Sequence, residues 1–230
     1  MLKKLATGAS AFSTFVQSFP RLPLLLRKMR PTWHLSGLAA VTPEFLAQHG
    51  IRAMIWDVDG TLTRDRGPGI EPSQAPAFNA LMSDQRLKHL VLSNASEERF
   101  TQLGTLFPML TILRAYTKGD QVLYRKRKGA DDTWTPAELQ RQLAEGAAVI
   151  RKPSAVLVDY AATELGTDKG AIVMIGDQYL TDVAGANLGG VRSIKLPTIA
   201  RETFRASVRF SQHLELMIYS LLYGRAEVAA

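Results

Sequence analysis

Asp57 and Asp59 stand two residues apart at the end of the apolar run "IRAMIWDVD", and Gly60, Thr61 and Thr63 follow at once. A carboxylate pair at such a junction suits either an acidic turn or a site that holds a cation and attacks an electrophile. Three other segments offer matching chemistry. Ser93 and Asn94 close "KHLVLSN", Lys152 precedes Pro153, and Asp177 and Asp182 lie in "IGDQYLTD". Carboxylates at Asp57 and Asp177 suit Mg²⁺, which prefers hard oxygen ligands and keeps several waters. The Ser93 hydroxyl, nearby backbone amides and the Lys152 ammonium suit a tetrahedral anion. A carboxylate nucleophile repels a phosphate dianion, and a metal and a lysine between them remove that obstacle.

These residues require elements that bring them to one edge. "IRAMIWDVD" (51–59), "KHLVLSN" (88–94), "MLTILRA" (109–115), "AIVMIGD" (171–177) and "RSIKL" read as strands. Helix signals alternate with them in "PSQAPAFNALMSDQR", "SEERFTQLGTLF" with Ser96 as its cap, "SAVLVDYAATEL" and "LTDVAGANLGG". That alternation predicts crossover units and a parallel sheet with helices on both faces, whose ligands sit at the carboxyl ends of the strands. Residues 117–150 interrupt the rhythm with "RKRKG", "ADD" and a short helix "PAELQRQLAEG".

Composition narrows the chemistry further. The 230 residues, 46% of them hydrophobic, are enough for one domain with extensions. The absence of cysteine excludes disulfides, thiolate metal sites and cysteine nucleophiles. His34, His49, His89 and His213 lack metal-binding spacing. No apolar run reaches the roughly 18 residues of a membrane span. The net charge of +7 comes from the ends: residues 1–43 carry six Lys or Arg and no acid, and 192–230 carry six basic and three acidic residues. Basic ends around a neutral centre suit an anionic surface or a solvated tail.

The four blocks "DVDGT", "SN", "KP" and "GDxxxxD" occur in the order of the signature motifs of the haloacid dehalogenase superfamily. "PTWHLSGLAAVTPEFLAQHGIRAMIWDVDGTL", "SNASEERF", "RKPS" and "GDQYLTDVAGANLGG" resemble the branch that contains phosphatidylglycerophosphate phosphatases, over about residues 30–116 and 150–200. The resemblance implies a three-layer, Rossmann-like α/β fold with a parallel sheet, a small insertion after the third strand and no large cap. It implies a basic amphipathic N-terminal extension at 1–43, a phosphatase domain at 44–197 with its insertion at 117–150, and a C-terminal amphipathic helix and tail at 198–230.

For the site, the resemblance implies that Asp57 attacks phosphorus to form an aspartyl-phosphate, and that Asp59 protonates the leaving alcohol and then activates water. The Asp57 and Asp177 carboxylates and the Asp59 backbone carbonyl would ligate Mg²⁺. Asp182 would orient metal-bound water or Lys152. Ser93 and Asn94 would bind phosphoryl oxygens, and Gly60 would permit close backbone approach. Gly60 departs from the branch, which commonly has asparagine there.

The expected substrate is a phospholipid monophosphate, phosphatidylglycerophosphate above others, met at an anionic membrane surface. Segment 1–30 and the C-terminal helix would lie on that surface. On a helical wheel, Arg201, Arg205 and Arg209 share one stripe, and Phe210, Leu214, Met217 and Leu221 fall roughly opposite. The apolar stripe suits membrane contact and core packing alike. Localisation would be cytoplasmic, peripheral to the inner face of a membrane, or an organellar matrix if residues 1–30 are a presequence. Nucleic acid is not an expected partner, and the sequence does not define an oligomeric state. Two other readings compete: a soluble phosphatase of the same chemistry acting on a sugar phosphate, nucleotide or nucleic-acid end, and a noncatalytic binder of anionic lipid or nucleic acid. Other residues carry two readings: Arg99 as a contact to a substrate phosphate or an exposed helix charge, Asn187 as a helix-end fixer or a substrate contact, "RKRKG" as a solvated loop or a binding patch.

Overall fold

The protein is described here from a computed structural model covering residues 22–224. A run of four fully buried residues, Ala53–Trp56, forms strand β2 at the centre of a nine-stranded sheet. Strands covered on both faces read as continuous apolar runs, because neither set of alternating side chains meets water. Strands β3 (Lys88–Val91) and β8 (Ile172–Gly176) flank β2 in parallel, and β9 (Arg192–Lys195) lies beyond β8.

Helices cover both faces, as the alternating signals predict. Leu46 of α2 (Pro43–Gln48), Phe78 and Leu81 of α3 (Ala75–Ser83), and Phe100 and Leu103 of α4 (Glu97–Leu106) pack around Trp56. The other face buries Leu157, Ala161 and Leu165 of α6 (Ala155–Leu165) and Ala186 of α7 (Ala184–Gly189) against Ile55, Leu90 and Met174. Ser96 caps α4 by accepting from Arg99 N at 3.2 Å.

Three features differ from the expectation. Strand β1 (Trp33–His34) pairs in parallel with β9, so part of the segment read as an N-terminal extension sits in the sheet. Residues 117–150 are neither a loop nor a cap. Strand β4 runs past the expected third strand, from Thr111 to Lys118, and the chain returns antiparallel as β5 (Gln121–Lys128), then β6 (Asp131–Asp132). The short helix α5 (Pro136–Ala144) follows, and β7 (Ala148–Ile150) pairs with the far half of β4. "RKRKG" is therefore mostly strand, and the sheet is mixed instead of wholly parallel. The insertion lengthens the sheet sideways because β4 outruns its parallel neighbour β3, whose pairing ends at Ile112.

The third difference is at the C-terminus. Helix α8 (Ala206–Tyr223) buries Gln212, Glu215 and Tyr219, while Phe210, Met217 and Leu221 face outward. Of the four stripe residues only Leu214 is half-buried, so most of the stripe does not pack on the core. Tyr219 stacks on Tyr179, and Leu25 of α1 (Leu22–Arg27) and Met29 complete that small cluster. Residues 1–21 of the expected interfacial segment and the tail 225–230 lie outside the described residues.

Candidate active site

The carboxyl ends of β2, β3 and β8 meet at one cavity of about 250 Å³. β2 delivers Asp57, whose backbone N–H donates to Ile175 O at 2.9 Å and so continues the ladder for one residue. The chain then turns sharply: the N–H groups of Thr61, Leu62 and Thr63 all donate to Val58 O, and Gly60 adopts φ +97°. Gly60 is required on two counts. That φ is open chiefly to glycine, and a Cβ there would stand 2.7 Å from Asp177 Oδ2. An asparagine could not enter this loop without displacing the Asp177 carboxylate.

Lys152 joins the carboxylates. Its Nζ donates to Asp57 Oδ1 at 2.6 Å and to Asp182 Oδ1 at 2.7 Å, and all three side chains are buried. Asn94 holds the lysine in place: its side-chain amide donates to Lys152 O at 3.0 Å and accepts from Lys152 N at 2.8 Å. The Asn94 side chain thus positions Lys152, and Asn94 also lines the cavity. Ser93 lines the cavity.

Asp177 receives Thr198 Oγ1 at 2.7 Å and Gln212 Nε2 at 3.2 Å, both on Oδ2. Its Oδ1 is buried and has no donor among the described residues. Buried carboxylate oxygens are rarely left unpartnered. Asp57, Asp177 and Asp182 each present an oxygen within 4.8 Å of the others, a set that can hold a metal ion. Asp182 Oδ2 also accepts from Gln178 N at 3.0 Å and Asp57 Oδ2 from Thr61 Oγ1 at 3.4 Å, so of the three only Asp177 keeps an oxygen without a donor among the described residues. The Asp59 carboxylate is not in the cluster.

Electrostatics support the cation reading. Burial pushes Asp57 well above the usual carboxylate range, against the opposing pull of Lys152. Burial, reinforced by Asp182, pushes Asp177 up to about 7. Burial alone would lower Lys152, but Asp182 and Asp57 more than reverse it. Neighbouring acids that crowd one another in a dry pocket are relieved by a cation.

Asp59 is held separately. Arg99 Nη2 donates to its Oδ1 at 2.6 Å and Nε to its Oδ2 at 3.4 Å, while Thr63 Oγ1 and Arg66 N add bonds of 3.0 and 3.2 Å. Arg99 is 3% exposed and also donates to Gly67 O at 2.9 Å, so it is not a surface helix charge. Its place three residues after the Ser96 cap turns it back toward the strand ends. Asn187 ties Lys28 O and Arg30 O to α7, anchoring the N-terminal segment where a helix-end role was expected.

Sequence reasoning missed Thr198, Lys195, Gln212 and Glu215. Glu215 Oε2 accepts from Tyr179 N at 3.0 Å and Leu180 N at 3.3 Å, and burial pushes the group up to about 7. The spacing of Gln212, Glu215 and Tyr219 was a legible helical stripe. Thr198 and Lys195 carried no local signal.

Residues 149–199 match the HAD-hydrolase-like family, the haloacid dehalogenase type. The chain is 24% identical over 206 residues to the probable phosphatase YqeG of Bacillus subtilis (strain 168), covering 89% of this chain and 98% of that protein. Among solved structures it is similar to an uncharacterized protein from Listeria monocytogenes serotype 4b, with 19% identity, TM-score 0.42, and coverage of 64% of this chain and 78% of that one. It is also similar to a 4-nitrophenylphosphatase from Thermotoga maritima, with 13% identity, TM-score 0.30, and coverage of 65% and 87%. By sequence, the chain is thus similar over most of its length to a probable phosphatase, and over residues 149–199 to the haloacid dehalogenase hydrolase type.

Proposed function

We propose that this protein is a Mg²⁺-dependent phosphomonoester hydrolase that works through an aspartyl-phosphate on Asp57. The observation that carries the reading is the pairing of Asp57 with Lys152 at 2.6 Å, beside the buried and unpartnered Asp177 Oδ1. Asp57, Asp177 and the Asp59 backbone carbonyl would hold Mg²⁺. When bound, the ion neutralises the carboxylates and the incoming phosphate, so that like charges can meet.

The residues divide the work. A carboxylate oxygen of Asp57 forms a bond to phosphorus, and the bond from phosphorus to the alcohol oxygen breaks. Asp59 gives its proton to that oxygen. Water then attacks phosphorus, Asp59 takes the water's proton, and the bond to Asp57 breaks, releasing inorganic phosphate and the free carboxylate. Lys152 offsets charge on Asp57 throughout, and Ser93 faces the phosphoryl oxygens.

For the substrate we favour phosphatidylglycerophosphate, dephosphorylated to phosphatidylglycerol at an anionic membrane surface. Leu22, Leu25, Leu180, Phe204 and Val208 form an apolar wall of the same cavity. On α8, Phe210, Met217 and Leu221 are 69%, 56% and 85% exposed. Exposed apolar side chains on a helix suit an interfacial attachment. No helix among the described residues is long and apolar enough to cross a membrane.

A phosphate-release screen tests the reading. Purified protein with Mg²⁺ is expected to cleave phosphatidylglycerophosphate in mixed micelles in preference to sugar phosphates, nucleotides and nucleic-acid ends. Turnover of soluble esters without turnover of the lipid would sink the substrate assignment and leave the chemistry standing. Flotation with anionic vesicles checks the membrane: protein that stays at the bottom favours a soluble phosphatase. Failure to trap beryllium fluoride on Asp57 would favour a noncatalytic binding module.

A further inference from the structure

We infer that helix α8 is a built part of the cation centre, with Gln212 and Glu215 as positioning residues that set its affinity for Mg²⁺. The inference rests on the proposed reading of Asp177 as a carboxylate that faces the cation.

Three contacts carry it. The Gln212 amide donates to Asp177 Oδ2. Together with the Thr198 hydroxyl on the same oxygen, this fixes the carboxylate rotation and leaves Oδ1 as the free oxygen. The opposite orientation of the amide would set its oxygen against the carboxylate, so the nitrogen is the end that faces Asp177. Glu215 receives the backbone N–H groups of Tyr179 and Leu180, in the turn Tyr179–Val183 that carries Asp182. Asp182 in turn holds Lys152. One face of α8 therefore steadies Asp177 directly, and Lys152 through the turn.

A separate observation points to a ligand. Gln212 Oε1 is buried and has no donor among the described residues. A buried amide oxygen needs a partner, and a water is the donor that a small divalent cation with a retained hydration shell would bring. Phe204, at the residues leading into α8, adds to the fit: a Cβ on Gly60 would meet its ring at 3.1 Å as well as Asp177. The aspartate loop, the metal carboxylate and the C-terminal segment thus interlock. Since the helix fixes the carboxylate, cation binding and helix docking stabilise each other reciprocally.

The test is calorimetric titration of Mg²⁺ into the full chain, comparing wild type with Gln212→Met, Glu215→Gln and Asp177→Asn. Outer partners of metal ligands commonly set affinity by about 10- to 100-fold. Gln212→Met is expected to weaken Mg²⁺ binding by at least about 10-fold within that range, with Glu215→Gln affecting it less and Asp177→Asn abolishing it. A folded Gln212→Met variant that binds Mg²⁺ as wild type does overturns the inference alone. Wild type that binds no Mg²⁺ overturns the cation reading and the inference with it. Hydrogen exchange on wild type needs no variant: Mg²⁺ should slow amide exchange across residues 206–223, and unchanged exchange in a protein that binds Mg²⁺ refutes the coupling.

Discussion

Two clusters of buried charge lie on this sheet, and they are built oppositely. At the insertion, Glu97 and Asp132 are surrounded by Arg114, Arg125 and Arg127. Arg125 reaches Asp132 at 2.9 and 2.7 Å and Glu97 at 2.8 Å, Arg127 reaches Asp132 at 3.0 Å, and Arg114 pairs with Glu97. Tyr116 donates to Glu97 at 2.8 Å, and the Phe100 ring lies 4.8 Å from both the Arg114 and the Arg125 guanidinium. The carboxylate oxygens there are filled by donors. At the strand tips, Asp57, Asp177, Asp182 and Glu215 lie with Lys152 and Lys195, and one oxygen of Asp177 has no donor among the described residues. Ionised, that group carries an acid surplus of two charges, which one divalent cation cancels. At the insertion three arginines outnumber two carboxylates and saturate them, whereas the strand tips carry surplus acid, a state that suits a cation.

Substitutions can break this contrast. The largest effect is expected for Asp57→Asn, which should lower phosphate release by roughly three orders of magnitude or more, since removal of a nucleophile leaves only residual binding effects. Stopped assays against a folded-state control check it. Asp132→Asn should do the reverse. Taking one partner from a buried pair costs about 3 kcal/mol, so the variant should lose stability in urea while each folded molecule keeps its activity.

Arg99 sharpens the comparison, because it forms a balanced pair with Asp59 inside the unbalanced site. Arg99→Lys loses the forked contact. It should slow cleavage of alkyl phosphates by about 10- to 100-fold. Release of 4-nitrophenolate, which needs no proton, should slow much less. Equal losses on both substrates would show that Arg99 does not act through Asp59.

The smallest effect concerns His89, remote from both clusters, which accepts from Trp56 Nε1 at 3.2 Å and is lowered by burial from 6.5 to about 4. Between those values the unfolded chain takes up a proton that the folded chain refuses, so this residue makes stability fall as pH drops. His89→Gln should gain on wild type by roughly 1 kcal/mol one unit below the ordinary imidazole value. Denaturant titrations at two pH values read it. A constant difference would mean that the ring protonates in place.

Much of the site was legible because its residues end apolar runs. Asp57, Ser93 and Asp177 each follow a strand whose continuous hydrophobicity announces burial on both faces, and such strands deliver their next residue to the carboxyl edge. Lys152 was legible only in that company. Other parts were hidden for physical reasons. In "RKRKG" the charges mask a strand, since Arg125 points inward to carboxylates far away in sequence. In α8 the wheel showed an apolar stripe, and apolar stripes ordinarily face inward. Here the inner face covers carboxylates and exposed amides, so Gln212 and Glu215 occupy it and the apolar stripe is displaced outward. The Arg99–Asp59 pair joins residues forty positions apart in the chain, and no local pattern shows it.

The seating of α8 over the strand tips also bears on how the protein is made. Synthesis proceeds from the N-terminus, and domains fold as their chain emerges. β9 ends at Lys195, and Gln212 and Glu215 follow it by 17 and 20 positions, so the sheet strands leave the ribosome before the helix that covers their tips. The sheet can thus take its shape before Asp177 gains its Gln212 contact.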